Sequence, residues 1–386
     1  MQFIDLKAQQ QRIRAGIDAS INTVLEHGKY IMGPEITQLE EALASFVGVK
    51  HAIGCASGTD ALLMALMAKN VEPGDAVFTS PFTFIATAEV IRLLGATPVF
   101  VDIDPQTFNM DPELLEKAIQ AIKRTDAKIC PLPHTPDQKL SPKGIIAVDL
   151  FGLPADYDAI NAIAEQHGLF VIEDAAQSFG GEYKGKKACA LAEIGCTSFF
   201  PAKPLGCYGD GGMCFTDDDE LKDIMQSIRI HGTGTDKYDN VRVGINGRLD
   251  TLQAAILLNK FEIFPEEIEL RQKVAERYNE QLSSNADLVI PSIPQGYLSA
   301  WAQYSILAKD QSHRSALQNH LKENGIPTAV YYPKPLHVQT AFQSLGYEPN
   351  DFPFSQDFST RIFSLPMHPY LDEADQDKIS EMINKV

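Results

Sequence analysis

Long apolar runs are missing from this 386-residue chain. No stretch approaches the ~18 apolar residues that a membrane-crossing helix needs. The opening, MQFIDLKAQQQRIR, has neither the apolar segment nor the small-residue cleavage site of a secretory leader. Positive charge is also scarce. The 33 basic residues face 51 acidic ones, for a formal net charge of −18, and such a surface repels nucleic-acid backbones and anionic head groups. No nucleic-acid partner and no membrane partner is therefore expected, and the expected location is cytoplasmic. The six cysteines form no CxxC pair, so neither a disulfide framework nor a metal site is expected. The glycine fingerprint of dinucleotide binding is missing too, because GTGTD at 232–236 and GDGG at 209–212 have the wrong spacing. GGEYKGKK at 180–187 follows a phosphate loop until Lys187 replaces the magnesium-binding hydroxyl, and it reads as a hairpin turn instead. Metalloprotease, nucleophile-elbow and kinase signatures are all absent.

What is present is a globular composition, 44% hydrophobic and 22% charged. Short apolar runs (DAVFTS, TPVFVDID, GIIAVDLFG, LFVIED, CTSFF) alternate with helix-length amphipathic stretches such as PELLEKAIQAIK and ADYDAINAIAEQHG. Almost continuously apolar strands separated by helices require a mostly parallel sheet covered on both faces, so the fold class is α/β. The expected division is an N-terminal arm plus a large ligand-binding α/β domain over 1–260, and a small α+β C-terminal domain over 261–386, where YSILAKD, SHRSALQNHLKENG and TAVYYP read as strand, helix and strand. CPLPHTPDQKLSPK at 130–143 breaks the rhythm with four prolines and reads as an exposed loop insertion.

Three elements carry chemistry. LFVIEDAAQSFGG places acidic residues at the carboxyl end of a buried strand, where open α/β sheets bind ligands. Side chains alternate, so only one of Glu173 and Asp174 can enter that crevice. A carboxylate there can hold a ring nitrogen protonated, although by itself it reads equally as a helix cap. In CTSFFPAKPLGCYGDGGMCF, Lys203 follows another buried strand among apolar neighbours, and partial desolvation favours the neutral amine that attacks a carbonyl. In GCASGTDALLMAL, small residues precede an apolar helix, whose first N–H groups and dipole make an anion site. A phosphate at that helix start and Ser198, a protonated ring nitrogen at Asp174 and an aldehyde at Lys203 together describe pyridoxal 5′-phosphate (PLP).

Further blocks, among them FIDLKAQ, GPEITQLEEALA, PFTFIATAEVI, VDIDPQTFNMD, GINGRLDTLQAAIL and YYPKPLHVQ, give the chain a resemblance across nearly its whole length to the DegT/StrS sugar-nucleotide aminotransferases, which are fold-type I PLP enzymes. The resemblance implies a large sheet domain, a small C-terminal domain and a homodimer with shared active sites. It implies Lys203 as Schiff-base lysine, Asp174 at the pyridine nitrogen and Gln177 near the phenolic oxygen. It further implies Gly58, Thr59 and Ser198 at the phosphate, Phe84 stacked on the ring, and Asn246 reaching the phosphate of the neighbouring subunit. The nearest subgroup aminates C3 of UDP-2-acetamido-2-deoxy-3-oxo-glucuronic acid, with glutamate as donor and 2-oxoglutarate as co-product, for surface polysaccharide synthesis. Within it, Arg248 matches a fork for the sugar carboxylate, and Tyr332 and His337 match the sugar side. Tyr331 stands where many relatives have histidine. Two alternatives stay open: a C4 aminotransferase acting on a UDP- or dTDP-4-keto-6-deoxy sugar, and a non-catalytic PLP-binding sensor. A dehydratase is disfavoured, because its histidine is here Lys203.

Overall fold

In the computed structural model, which describes residues 1–135, 138–236 and 238–386, apolar segments assemble into one large sheet. Its strands are β1 (His51–Cys55), β2 (Asp75–Thr79), β3 (Thr97–Phe100), β4 (Ser141–Val148), β5 (Phe170–Asp174), β8 (Ile194–Ser198) and β9 (Gly212–Thr216). Between β5 and β8 lies a hairpin of β6 (Glu182–Tyr183) and β7 (Lys186–Lys187). Its turn residues Lys184 and Gly185 both have positive φ, which defines a type I′ turn. The large sheet runs β1-β9-β8-β5-β4-β2-β3, and only β9 runs against the others.

Helices cover both faces, as the buried strands require. Helices α1 (Leu6–His27) and α2 (Pro34–Val47) precede the sheet. Within it come α3 (Gly58–Ala68), α4 (Ala86–Leu93), α5 (Pro112–Arg124), α6 (Tyr157–His167) and α7 (Asp219–Arg229). One apolar core joins α3, α4 and α7 to the sheet through Leu62, Ile91, Ile172 and Ile228. Another joins α5 and α6 through Leu115, Ile119, Ile145 and Ile160.

Helix α8 (Thr251–Leu282) runs straight across the expected boundary at 260 and contains Pro265. The small domain adds β10 (Leu288–Val289), β11 (Tyr297–Leu298), β12 (Tyr304–Ala308), α9 (Gln311–Glu323), α10 (Pro353–Arg361), β13 (Ile362–Leu365) and α11 (Glu373–Ile383). TAVYYP departs from the strand expected there. It makes one bridge, Ala329 to Ser364, and then the prolines at 333 and 335 turn it along the cavity. The proline-rich insertion is partly docked, with Pro133 buried and the His134 N–H bonded to the Leu345 carbonyl at 2.7 Å; Pro136 and Asp137 lie outside the described residues. No described helix is long and apolar enough to cross a membrane.

Candidate active site

The carboxyl ends of β1, β2, β4, β5 and β8 open onto one cavity of about 640 Å³. Each end contributes its following loop, so side chains far apart in sequence meet where parallel strands stop. Gln303, Val330, Tyr331 and Tyr332 close it from the small domain, and Ile4 from the N-terminal arm.

Gly58 and Thr59 line this cavity at the start of α3. Ser57 caps the helix by accepting from the Asp60 N–H at 3.0 Å, which leaves the first-turn N–H groups of Gly58 and Thr59 for a ligand. The helix start lies against β8 so tightly that a Cβ on Gly58 would sit 2.6 Å from Cβ of Ser198. Glycine is thus required by close approach, and the same approach brings Ser198 to the helix dipole.

Asp174 faces the cavity, whereas Glu173 points into the core, as strand alternation demands. Asp174 accepts from Thr87 Oγ1 at 2.8 Å and from the Ala176 N–H at 3.3 Å. Burial raises its carboxyl above the usual range, and the Thr87 bond, the Lys203 charge and the Ala176 N–H each oppose that rise. Thr87 was not legible as a site residue. Its one signal is that it lies three positions after Phe84, at the start of α4.

Lys203 reaches the same cavity from a loop folded back on itself, with the Cys207 N–H bonded to the Phe199 carbonyl at 2.8 Å. Gly206 permits this closure, since a Cβ there would meet the Phe200 and Pro201 carbonyls at 2.6 Å. Burial lowers the Lys203 ammonium, and Asp174 partly restores it.

Gln177 is held in one orientation. Its Oε1 accepts from the Phe151 N–H at 2.7 Å, so its Nε2 turns to the Tyr332 hydroxyl at 3.2 Å. Phe84 lines the cavity yet stays 55% exposed, a ring with an uncovered face.

Three expected residues fall outside the cavity of this chain. Asn246 is exposed on the bridge to Ile230. Arg248 pairs its backbone with Cys55, and its buried Nε has no partner among the described residues. His337 is 1% exposed. Its ring packs on Phe352 at 4.8 Å and its Nε2 meets the Pro349 carbonyl at 3.2 Å, which makes it a core contact rather than a sugar-side residue. Burial lowers its basicity.

No group of three or more potential metal ligands occurs among the described residues. The cup at Gly58, the carboxyl of Asp174 and the amine of Lys203 are the donor set that a phosphorylated pyridine aldehyde requires, so the residues fit PLP.

The chain belongs to the DegT/DnrJ/EryC1/StrS aminotransferase family, which it matches over residues 11–384. Among curated relatives, it is 53% identical to the UDP-2-acetamido-2-deoxy-3-oxo-D-glucuronate aminotransferase of Pseudomonas aeruginosa, over 97% of both chains. A solved family member from Brucella abortus superposes with a TM-score of 0.93 at 51% identity, covering 100% of this chain and 99% of that one. The PLP form of a Streptococcus pneumoniae protein described as a sugar aminotransferase superposes at 0.86, with 26% identity over 96% of this chain and 95% of its own.

Proposed function

We propose that this PLP-dependent aminotransferase moves an amino group from glutamate to C3 of UDP-2-acetamido-2-deoxy-3-oxo-glucuronic acid, for surface polysaccharide synthesis. The observation that carries the reading is the meeting of Lys203, Asp174 and the Gly58–Thr59 helix start in one cavity. The substrate is supported by the 53% identity to the Pseudomonas enzyme.

When bound, PLP supplies an aldehyde for an amine and a cationic ring that withdraws electrons from the carbon losing its proton. The Gly58 and Thr59 N–H groups and Ser198 hold its phosphate, and Asp174, fixed by Thr87, keeps the ring nitrogen protonated. Lys203 anchors the aldehyde. Once released, its Nζ takes the proton from the α-carbon of glutamate, and with the keto sugar it returns a proton to the sugar C3. Gln177 directs an N–H toward the phenolic oxygen.

The working unit is a homodimer. Among the described lining residues Lys203 is the sole cation, and Asp174 and Asp210 add negative charge. A phosphate, a diphosphate and several carboxylates need more positive charge than this. Asn246 and Arg248 lie outside their own cavity and are positioned to serve a neighbour's. A reducing cytoplasm fits six unpaired cysteines.

To test the reading, purified protein, glutamate and candidate UDP-3-keto and UDP-4-keto sugars are incubated, and the aminated carbon is identified by NMR. Amination at C3 supports it. Amination at C4 alone, or no amination while the cofactor absorbance persists, refutes the substrate.

A further inference from the structure

Behind the cavity floor, two carboxyl groups unused by this chemistry touch each other. Glu173 is fully buried, and its carboxyl is hydrogen-bonded to that of Asp149, the residue that follows β4. Two bare carboxylates repel and have no hydrogen to place between them, so this contact contains a proton.

The surrounding donors show which group keeps it. Asp149 accepts from the Ala155 N–H at 2.9 Å, the Tyr157 hydroxyl at 2.8 Å and the Ser178 hydroxyl at 2.6 Å. Glu173 accepts two backbone N–H bonds, from Cys189 at 2.5 Å and Leu191 at 2.9 Å. The better-solvated anion is Asp149, and Glu173 donates to it. Burial pushes Glu173 well above the usual carboxyl range and Asp149 up to about 7. The Tyr157 hydroxyl from α6 and the Cys189 thiol from the loop after β7 also face the pair, and burial raises both, holding them neutral.

We propose that the proton-sharing Glu173–Asp149 pair is a positioning device that fixes Asp174 and Gln177 at the cofactor ring. It reaches them by two routes. The Asp149 N–H donates to the Asp174 carbonyl at 3.1 Å, so the pair sets the end of β5. Ser178, tied to Asp149, immediately follows Gln177, and the turn beginning at Asp149 delivers the Phe151 N–H that orients the Gln177 amide. The inference rests on the assignment of Asp174 to the ring nitrogen.

Glu173→Gln keeps a donor toward Asp149, Glu173→Ala removes it, and Ser178→Ala removes one bond while leaving both carboxyls in place. Each variant is titrated with PLP, reading the cofactor dissociation constant and the pH at which the bound cofactor's visible absorbance changes. Glu173→Ala is expected to weaken cofactor binding about tenfold and to move the absorbance transition by about one pH unit. Ser178→Ala shifts both in the same direction by less, and Glu173→Gln restores both. Unchanged affinity and an unchanged transition in Glu173→Ala overturn the proposal, whatever happens to thermal stability. If Glu173→Ala does not fold, Ser178→Ala decides on the same two readings. Asp174→Asn, run alongside, separates the premise from the inference. If it leaves the transition in place, the ring-nitrogen assignment fails; if it moves the transition and Glu173→Ala does not, the positioning role alone fails.

Discussion

Thr87 Oγ1 donates a 2.8 Å hydrogen bond to Asp174 Oδ2, joining the first turn of α4 to the end of β5. Because Thr87 spends its proton on Asp174, the 3.3 Å contact between the Thr83 and Thr87 hydroxyls runs from Thr83 to Thr87. The carboxylate is thus steadied by a two-hydroxyl chain within the core, and its negative charge is favoured against the burial that opposes it. Thr87→Val keeps the shape and removes the donor. It is expected to weaken cofactor binding by about 1–2 kcal/mol, read by absorbance titration, with Thr87→Ser restoring most of the loss.

Gly58→Ala tests the phosphate cup. The added Cβ has no room beside Ser198, so the helix start moves away from the strand, and cofactor affinity falls by about tenfold or more with the fold intact. Gly58→Ala combined with Ser198→Gly relieves the overlap and recovers part of that affinity, although it removes the Ser198 hydroxyl. Equal losses in the single and double variants contradict the steric account.

Lys260 offers a pH test remote from the site. It is fully buried over the Tyr208 ring at 4.4 Å, and burial lowers its ammonium to about 8. In the unfolded chain the amine stays protonated until about 10.4. Between these values the unfolded state binds more protons, so this group raises stability as pH climbs through that window and penalises it below. Lys260→Met is expected to be more stable than the parent near neutral pH, by an amount on the order of 3 kcal/mol at most. Its advantage shrinks toward pH 10 in thermal unfolding, and a constant difference across the range contradicts the assignment.

His337→Leu is expected to lower the thermal midpoint, through loss of the bond to the Pro349 carbonyl, by about 1–2 kcal/mol. The KM for the sugar nucleotide is expected to stay at the parent value. A selective rise in that KM would return His337 to the sugar pocket.

The sheet was legible because strands buried on both faces must be apolar throughout, and each of the five quoted runs became a strand. Asp174 and Lys203 were legible because ionisable residues at the ends of such strands have few structural reasons to be there. The domain boundary was not, because α8 passes through 260 as one helix and Pro265 within it suggested a later start. His337 was misplaced because a histidine in a proline-rich turn looks alike whether it faces a ligand or a carbonyl. Thr87 was missed because a threonine in a helix's first turn ordinarily serves its own backbone; only the fold brings it to a carboxylate 87 positions away.

The most direct measurement is borohydride reduction of the PLP-loaded protein followed by peptide mapping. The account predicts a phosphopyridoxyl adduct on Lys203, within SFFPAKPLG, and loss of both the adduct and the visible absorbance in Lys203→Ala. An adduct on a different lysine, or a parent protein that remains colourless with excess PLP, would contradict it.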